Sequence, residues 1–321
     1  MVFTTLDIFI CLIQLISFII YSMVIVFLIF LIYRGNRDTS TEFYIHFIVN
    51  GFVDILSNIF DILIRRLLVW GLYHEFFESY LWVGNLSPII YYSTVANCEI
   101  GTVIITFNRY MQMHYPLKYK IFWTKRVTII MVLLQIITPY LSYIYLVNYK
   151  VTLLYSEEKH YYYHSMIDKT ASWNNSFIMC IWSGSTFLLA FFMNIFNIKK
   201  YIQIVLKNKN NSKSLSSKIY LYSMYCLLIS ISLLLVFLNS CIKLYAVINN
   251  LKSLKEQASN NYEWIILLMT CCHPFLILIL SKELRRKFLT FYSIHNTLKV
   301  TPLALNTINN SKSHNRTVRK V

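Results

Sequence analysis

The chain alternates long apolar blocks with short polar stretches rich in lysine and arginine, and the blocks set the architecture. Seven of them reach the roughly 20 residues that a helix rising about 1.5 Å per residue needs to cross the hydrocarbon core of a bilayer. They lie at about 8–33, 43–64, 80–107, 127–147, 176–198, 219–247 and 264–280, and each predicts one membrane-spanning helix. The first block is too long for the apolar region of a secretion signal. It has no basic residue ahead of it and runs into Arg34 and Arg37, where a signal would carry small residues for cleavage, so it is read as helix one.

After helix seven the pattern changes. Residues 281–294 set Leu284, Phe288 and Phe291 at helical spacing among Lys282, Arg285, Arg286 and Lys287, which predicts a short amphipathic helix on the anionic inner leaflet. The Ser/Asn/Lys-rich stretch 295–321 predicts a disordered cytoplasmic tail. The fold class expected is an all-α membrane protein, a seven-transmembrane-helix bundle over residues 1–280 followed by that amphipathic helix.

Composition narrows the function. With 57% hydrophobic and only 14% charged residues the chain has too little polar surface for a soluble globule. Of the 30 lysines and arginines, 22 fall in the loops after helices one, three and five and in the tail, which places the amino terminus outside and the carboxyl terminus in the cytosol of a multi-pass plasma-membrane protein. The net charge of +16 is spread over these loops rather than gathered in one stripe, so no nucleic-acid partner is expected; the partner is the lipid bilayer. All seven cysteines lie in or beside apolar blocks without C-x-x-C spacing, so they read as small apolar residues and neither a zinc site nor a disulfide framework is indicated. Neither H-E-x-x-H nor G-x-S-x-G occurs, and no enzyme is expected. Seven spans also suit a ligand-gated channel or a small-solute transporter, the alternative reading, although six glycines, five prolines and no internal repeat argue against transporter half-helices.

Polar residues at membrane depth are costly and therefore candidates for function. Asn50, Asp54, Asn58 and Asp61 recur every three or four positions and share one face of helix two. Asp54 on helix two, Glu99 on helix three and His273 on helix seven all fall roughly 15 Å deep, which predicts a mid-membrane polar cluster, with Asn97 beside it. Two carboxylates in low dielectric leave two readings open, a hydrogen-bonded network with a proton held on one of them or a cation between them. Nearer the outside, Asp61, Tyr91, Tyr92, Asn239 and Lys243 are candidates for a small-molecule pocket, and Lys243 also suits a snorkelling lysine. The second outer loop, about 148–173, holds Tyr155, Tyr161, Tyr162 and Tyr163 with His160 and His164 at metal-ligand spacing; with no further ligands these read as interfacial aromatics, and no metal is assigned. Asn85 and Asn174 are outward-facing N-x-S sequons and candidate glycosylation sites.

One motif carries a resemblance. Asn108-Arg109-Tyr110 ends helix three, and Pro116-Leu117 follows. This resembles the Asp/Glu-Arg-Tyr ending and downstream Pro-Leu of rhodopsin-like G-protein-coupled receptors, and implies that Arg109 constrains the inactive state and contacts the G protein when helix six moves. The same resemblance makes a sodium ion near Asp54 plausible; no other cofactor is expected. Asn108 stands where that family has an acid, and can hydrogen-bond the guanidinium without forming an ion pair. His273-Pro274 stands for Asn-Pro-x-x-Tyr, helix six has no proline, and the outer cysteine pair is absent. With Phe43-Tyr44 opening helix two, Asp54 within it, and the exit from Pro274 to Ser281-Lys282-Glu283-Leu284-Arg285-Arg286, the chain over about 1–295 is similar to nematode serpentine chemoreceptors of the class gamma type or related class V. The resemblance implies a receptor in sensory cells that couples an external small-molecule ligand to a heterotrimeric G protein.

Overall fold

The computed structural model describes residues 5–34, 41–156, 161–207, 212–280 and 282–300. In chain order it comprises α1 (Thr5–Tyr33), α2 (Thr41–Phe60), a π-helical turn (Asp61–Arg66), α3 (Leu67–Val69) and α4 (His74–Ser79). Next come α5 (Leu81–His114), α6 (Pro116–Phe122), α7 (Lys125–Tyr143) and a 3-10 turn (Ile144–Asn148). A hairpin of β1 (Val151–Ser156) and β2 (Tyr161–Met166) leads to α8 (Lys169–Lys207), α9 (Ser212–Ile248), α10 (Lys252–Leu280) and α11 (Lys282–Val300). Seven helices among the described residues are long and apolar enough to span a membrane: α1, α2 with its extension to Val69, α5, α7 with its extension to Asn148, α8, α9 and α10.

Hydropathy located the membrane-embedded part of each helix better than its ends. The seventh helix begins at Lys252, three turns before the predicted residue 264, because 252–263 is rich in good helix formers and holds no glycine or proline. α8 begins at Lys169, where Asp168 Oδ1 caps the backbone N–H groups of Thr170 (2.7 Å) and Ala171 (3.2 Å). Pro88 lies inside α5 and cannot donate to the Gly84 carbonyl; the Ser87 hydroxyl donates to that oxygen instead, at 2.8 Å. Two expectations are corrected. The second outer loop is not irregular but forms an antiparallel hairpin with Val151 opposite Met166 and Ser156 opposite Tyr161, its valine, threonine and tyrosines being strand formers. Residues 295–300, expected to be disordered, continue α11. Ser281, His160 and the tail from 301 lie outside the described residues.

The chain divides into two units, Met1–Leu280 and Ser281–Val321. In the first, α5 packs on α2, α7 and α8, and the ring closes through α8–α9, α9–α10 and α10–α1. The pattern is inside out. Asn50, Asp54, Asn97, Glu99, Gln135 and Asn194 are buried, whereas α7 turns Ile129, Ile130, Leu133, Leu134 and Leu141 outward. A protein in water would aggregate through such a surface, and a bilayer covers it. In the second unit, Phe288 and Phe291 of α11 meet Tyr292 edge-on, each pair of ring centres 4.9 Å apart.

The closest approach in the core is at Gly101 of α5, where Asn50 of α2 and Gln135 of α7 meet over the bare backbone. A Cβ there would overlap Asn50 Oδ1 and Gln135 Nε2. Gln135 Nε2 donates to Asn50 Oδ1 and to the Asn97 carbonyl, both at 3.4 Å. Gly101→Ala is expected to lower stability by about 1–3 kcal/mol, as overpacking does. Gly84→Ala, whose Cβ would meet His164 at an ordinary 3.6 Å, is expected to be neutral; the check is the thermal-unfolding midpoint of the two purified variants.

Candidate functional site

At the inner end of α5, Arg109 is held by aromatic rings. Its guanidinium carbon lies 4.4 Å from the ring centre of Tyr225, 5.0 Å from Phe43 and 6.0 Å from Tyr222. Tyr222 is itself fixed, stacking on Tyr201 of α8 at 4.5 Å and donating to Met113 Sδ of α5 at 3.4 Å. Arginine over an aromatic face is stabilised by roughly 0.5–1 kcal/mol when exposed and about 2 when desolvated. Among the described residues no carboxylate pairs with Arg109. Three helices, α2, α5 and α9, thus meet on one cation.

Asn108 does something other than expected. It is fully buried and accepts from the Tyr119 hydroxyl of α6 at 3.4 Å, so it ties down the inner loop instead of bonding the guanidinium. The reason is helical phase, since successive side chains are about 100° apart around the axis. Tyr110 stacks on His114 at 4.5 Å and faces Phe196 of α8 at 6.4 Å. Pro116 begins α6, with its locked φ at the first helical position, and Leu117 is 81% exposed. Tyr119 and Trp123 stack at 5.9 Å, and Trp123 meets His46 of α2 edge-on at 5.6 Å, which anchors α6 under the bundle. Sequence reasoning missed Tyr222 and Tyr225 as the cage; their i, i+3 spacing at the inner end of helix six was the available signal.

At mid-membrane, the expected cluster is three separate arrangements. Asp54 Oδ2 accepts from Tyr21 OH of α1 (2.7 Å) and Asn50 Nδ2 (3.1 Å), with the Cys98 thiol also against the carboxyl. Glu99 Oε2 accepts from Thr186 Oγ1 of α8 at 3.0 Å. His273 Nε2 lies 3.3 Å from Thr102 Oγ1. Equal depth did not bring these groups together because Cys98 and Glu99, adjacent on α5, face different neighbours. A sodium ion needs several oxygen lone pairs around it. Tyr21 and Asn50 both donate to Asp54 Oδ2, whereas buried Oδ1 has no hydrogen-bond partner among the described residues. Asn58 extends that network, donating to Thr270 Oγ1 of α10 at 3.0 Å and accepting from Gln14 of α1 at 3.2 Å.

In the outer half, the structure brings some candidates together and removes others. Asp61 sits in the π-helical turn, which puts both following arginines within reach: Arg65 Nε is 3.2 Å from Oδ1 and Arg66 Nε 3.0 Å from Oδ2. Asn239 donates to the Ala258 carbonyl at 2.9 Å, a tie between α9 and α10. Lys243 does not snorkel: its Nζ turns inward to Tyr92 OH at 2.9 Å. Tyr92 stacks on Tyr143 at 5.7 Å, and Tyr91 lies 5.4 Å from Tyr92 and 6.1 Å from Tyr262, forming an aromatic floor.

The hairpin covers the start of α5. Val151 N–H donates to Asn85 Oδ1 at 2.9 Å, Tyr162 stacks on His74 at 4.8 Å, and His164 meets Phe77 edge-on at 5.2 Å. Both sequons therefore lie within helices rather than in exposed loops. Their serines are buried and bonded back to the helix, Ser87 to Gly84 and Ser176 to Ser172.

Burial pushes the His164 imidazole down to about 4, from 6.5. The unfolded hairpin then binds a proton that the folded one does not, so its stability should be constant above pH 6.5 and fall as pH drops from there towards 4. Hydrogen exchange of residues 151–166 across that window is the check, and His164→Phe is expected to flatten the dependence.

No curated protein matches the chain. Six of the seven helices and all of α1 but its first turn, with the Asn108-Arg109-Tyr110 end of α5 and the Pro274 exit, fall within residues 9–294, the stretch matched by the family model described as Serpentine type 7TM GPCR chemoreceptor Srv, the class V member of the two classes that the sequence resembled. The chain is thus a multi-pass membrane protein and belongs to the Srv family of serpentine chemoreceptors.

Proposed function

We propose that this receptor detects an external small molecule in the outer half of the bundle and activates a heterotrimeric G protein through the inner end of α5. Its amino terminus lies outside and its carboxyl terminus in the cytosol, on the strength of the 22 basic residues on the inner side. The observation that carries the reading is the aromatic cage on Arg109. An arginine that must engage a partner has to be held in one state and released in another, and stacked rings on α2 and α9 do this without a counter-ion. Moving α9 away from α5 removes Tyr222 and Tyr225 together and frees the guanidinium.

Arg109→Ala should abolish nucleotide exchange on the G protein while surface expression persists. Tyr225→Leu should do the reverse and raise ligand-independent exchange by roughly 2- to 30-fold, the population shift expected from losing about 0.5–2 kcal/mol of ring contact. Both are read by GTPγS binding in membranes, with tags on the two termini reporting orientation in intact and permeabilised cells. Unchanged exchange in Arg109→Ala overturns the role given to that residue.

A further inference from the structure

Among the described residues, two lysines, one near the end of α9 and one near the start of α10, have no carboxylate partner. Lys243 Nζ on α9 rests on Tyr92 OH of α5 at 2.9 Å, with its ring centre 5.0 Å away. Lys255 Nζ on α10 rests on Ser172 Oγ of α8 at 2.9 Å, and lies within electrostatic reach of both Lys243 and Tyr92. Both lysines are half-buried. Among the described residues neither ammonium has a carboxylate in ion-pair range. Asp61 is committed to Arg65 and Arg66, and Glu99 to Thr186, about 10 Å from Tyr92 along α5.

Cations withdrawn from water are ordinarily paired. Here two of them converge from different helices, repel each other, and are joined by two hydroxyl donors. Asn175, 2% exposed, adjoins Tyr92 and brings its amide N–H2, a donor, to the same place. Tyr92 stacks on Tyr143 and meets Tyr91 edge-on, and Tyr91 lies tilted against Tyr262, so the rings beside these donors make an apolar wall.

We infer that Lys243 and Lys255 form an oxyanion site, and that the ligand class of this receptor is a small organic acid whose carboxylate bridges the two ammonium groups while its apolar part lies against the tyrosines. This rests on the receptor reading above for its biological meaning, but the binding itself does not need a G protein.

The test uses the full-length chain in nanodiscs of phosphatidylcholine, with benzoate and hexanoate as probes and benzamide and hexanamide as uncharged matches, read by the thermal-unfolding midpoint. The acids should raise the midpoint and the amides should not. In Lys243→Gln and Lys255→Gln the half-saturating acid concentration should rise about tenfold or more, the loss expected for one charge-assisted hydrogen bond. Lys243→Arg and Lys255→Arg should keep most of the effect. Without acid the glutamine variants should unfold at the same or a higher temperature, because an unpaired charge has been removed; this separates lost binding from lost folding. Amides that stabilise as well as acids, acids without effect, or an acid effect that survives both glutamine variants would each overturn the site. A lysine-dependent rise produced by adding phosphatidylglycerol alone would place the anion on a lipid headgroup and overturn the soluble-acid assignment. Exchange on the G protein is scored separately, so an intact acid effect without exchange retires the coupling proposal alone, and exchange without an acid effect retires this one alone.

Discussion

Hydrocarbon offers no hydrogen-bond partner, so polar side chains that this sequence carries into the membrane turn to their own helix or to a neighbouring one, and α5 meets several neighbours in this way. Over six residues of that helix the Asn97 carbonyl accepts from Gln135, Cys98 meets Asp54, Glu99 accepts from Thr186, the bare Gly101 backbone admits Asn50 and Gln135, and Thr102 meets His273. Each step of about 100° around the axis addresses a different neighbour. Interactions of this kind are modest singly in membranes, around 0.6 kcal/mol on average. Their weight lies in specificity: the arrangement fixes which face of α2, α7, α8 and α10 turns inward.

The two ends of the bundle use that fixed middle differently. On the inside a single arginine is buried among rings from α2 and α9. On the outside two lysines from α9 and α10 lean on hydroxyls of α5 and α8. α9 carries both features. Tyr225 and Lys243 lie about 27 Å apart on one helix, so a ligand that drew Lys243 across the outer opening would displace, through a stiff lever, the ring that covers Arg109. On the proposed reading this is the element whose equilibrium both sites bias.

Much of this was legible from residue order. The seven apolar blocks and the Asn108-Arg109-Tyr110 ending led to the correct fold and to the family; of the pocket candidates, Tyr91, Tyr92 and Lys243 do meet, against the preference for a snorkelling Lys243, whereas Asp61 and Asn239 are bound elsewhere. Helix ends were read less well, because hydropathy senses where lipid is and not where hydrogen bonding stops; α10 runs three turns past its apolar part for that reason. The outer hairpin was missed because its tyrosines suit both a membrane interface and a strand.

What the sequence determined by itself is therefore the number of spans, fixed by apolar length, while the bias of lysine and arginine and the residue count along each helix set the direction and depth expected for Asp54, Glu99 and His273. What only the tertiary structure decided is azimuth. The three groups expected at one level go to Tyr21, Thr186 and Thr102, Asn108 turns to Tyr119 while its neighbour Arg109 turns to Tyr225, and Lys255 comes within electrostatic reach of Lys243 from another helix. Rotation of a helix about its own axis leaves depth unchanged and is set by packing against its neighbours, a contest among side chains far apart in sequence.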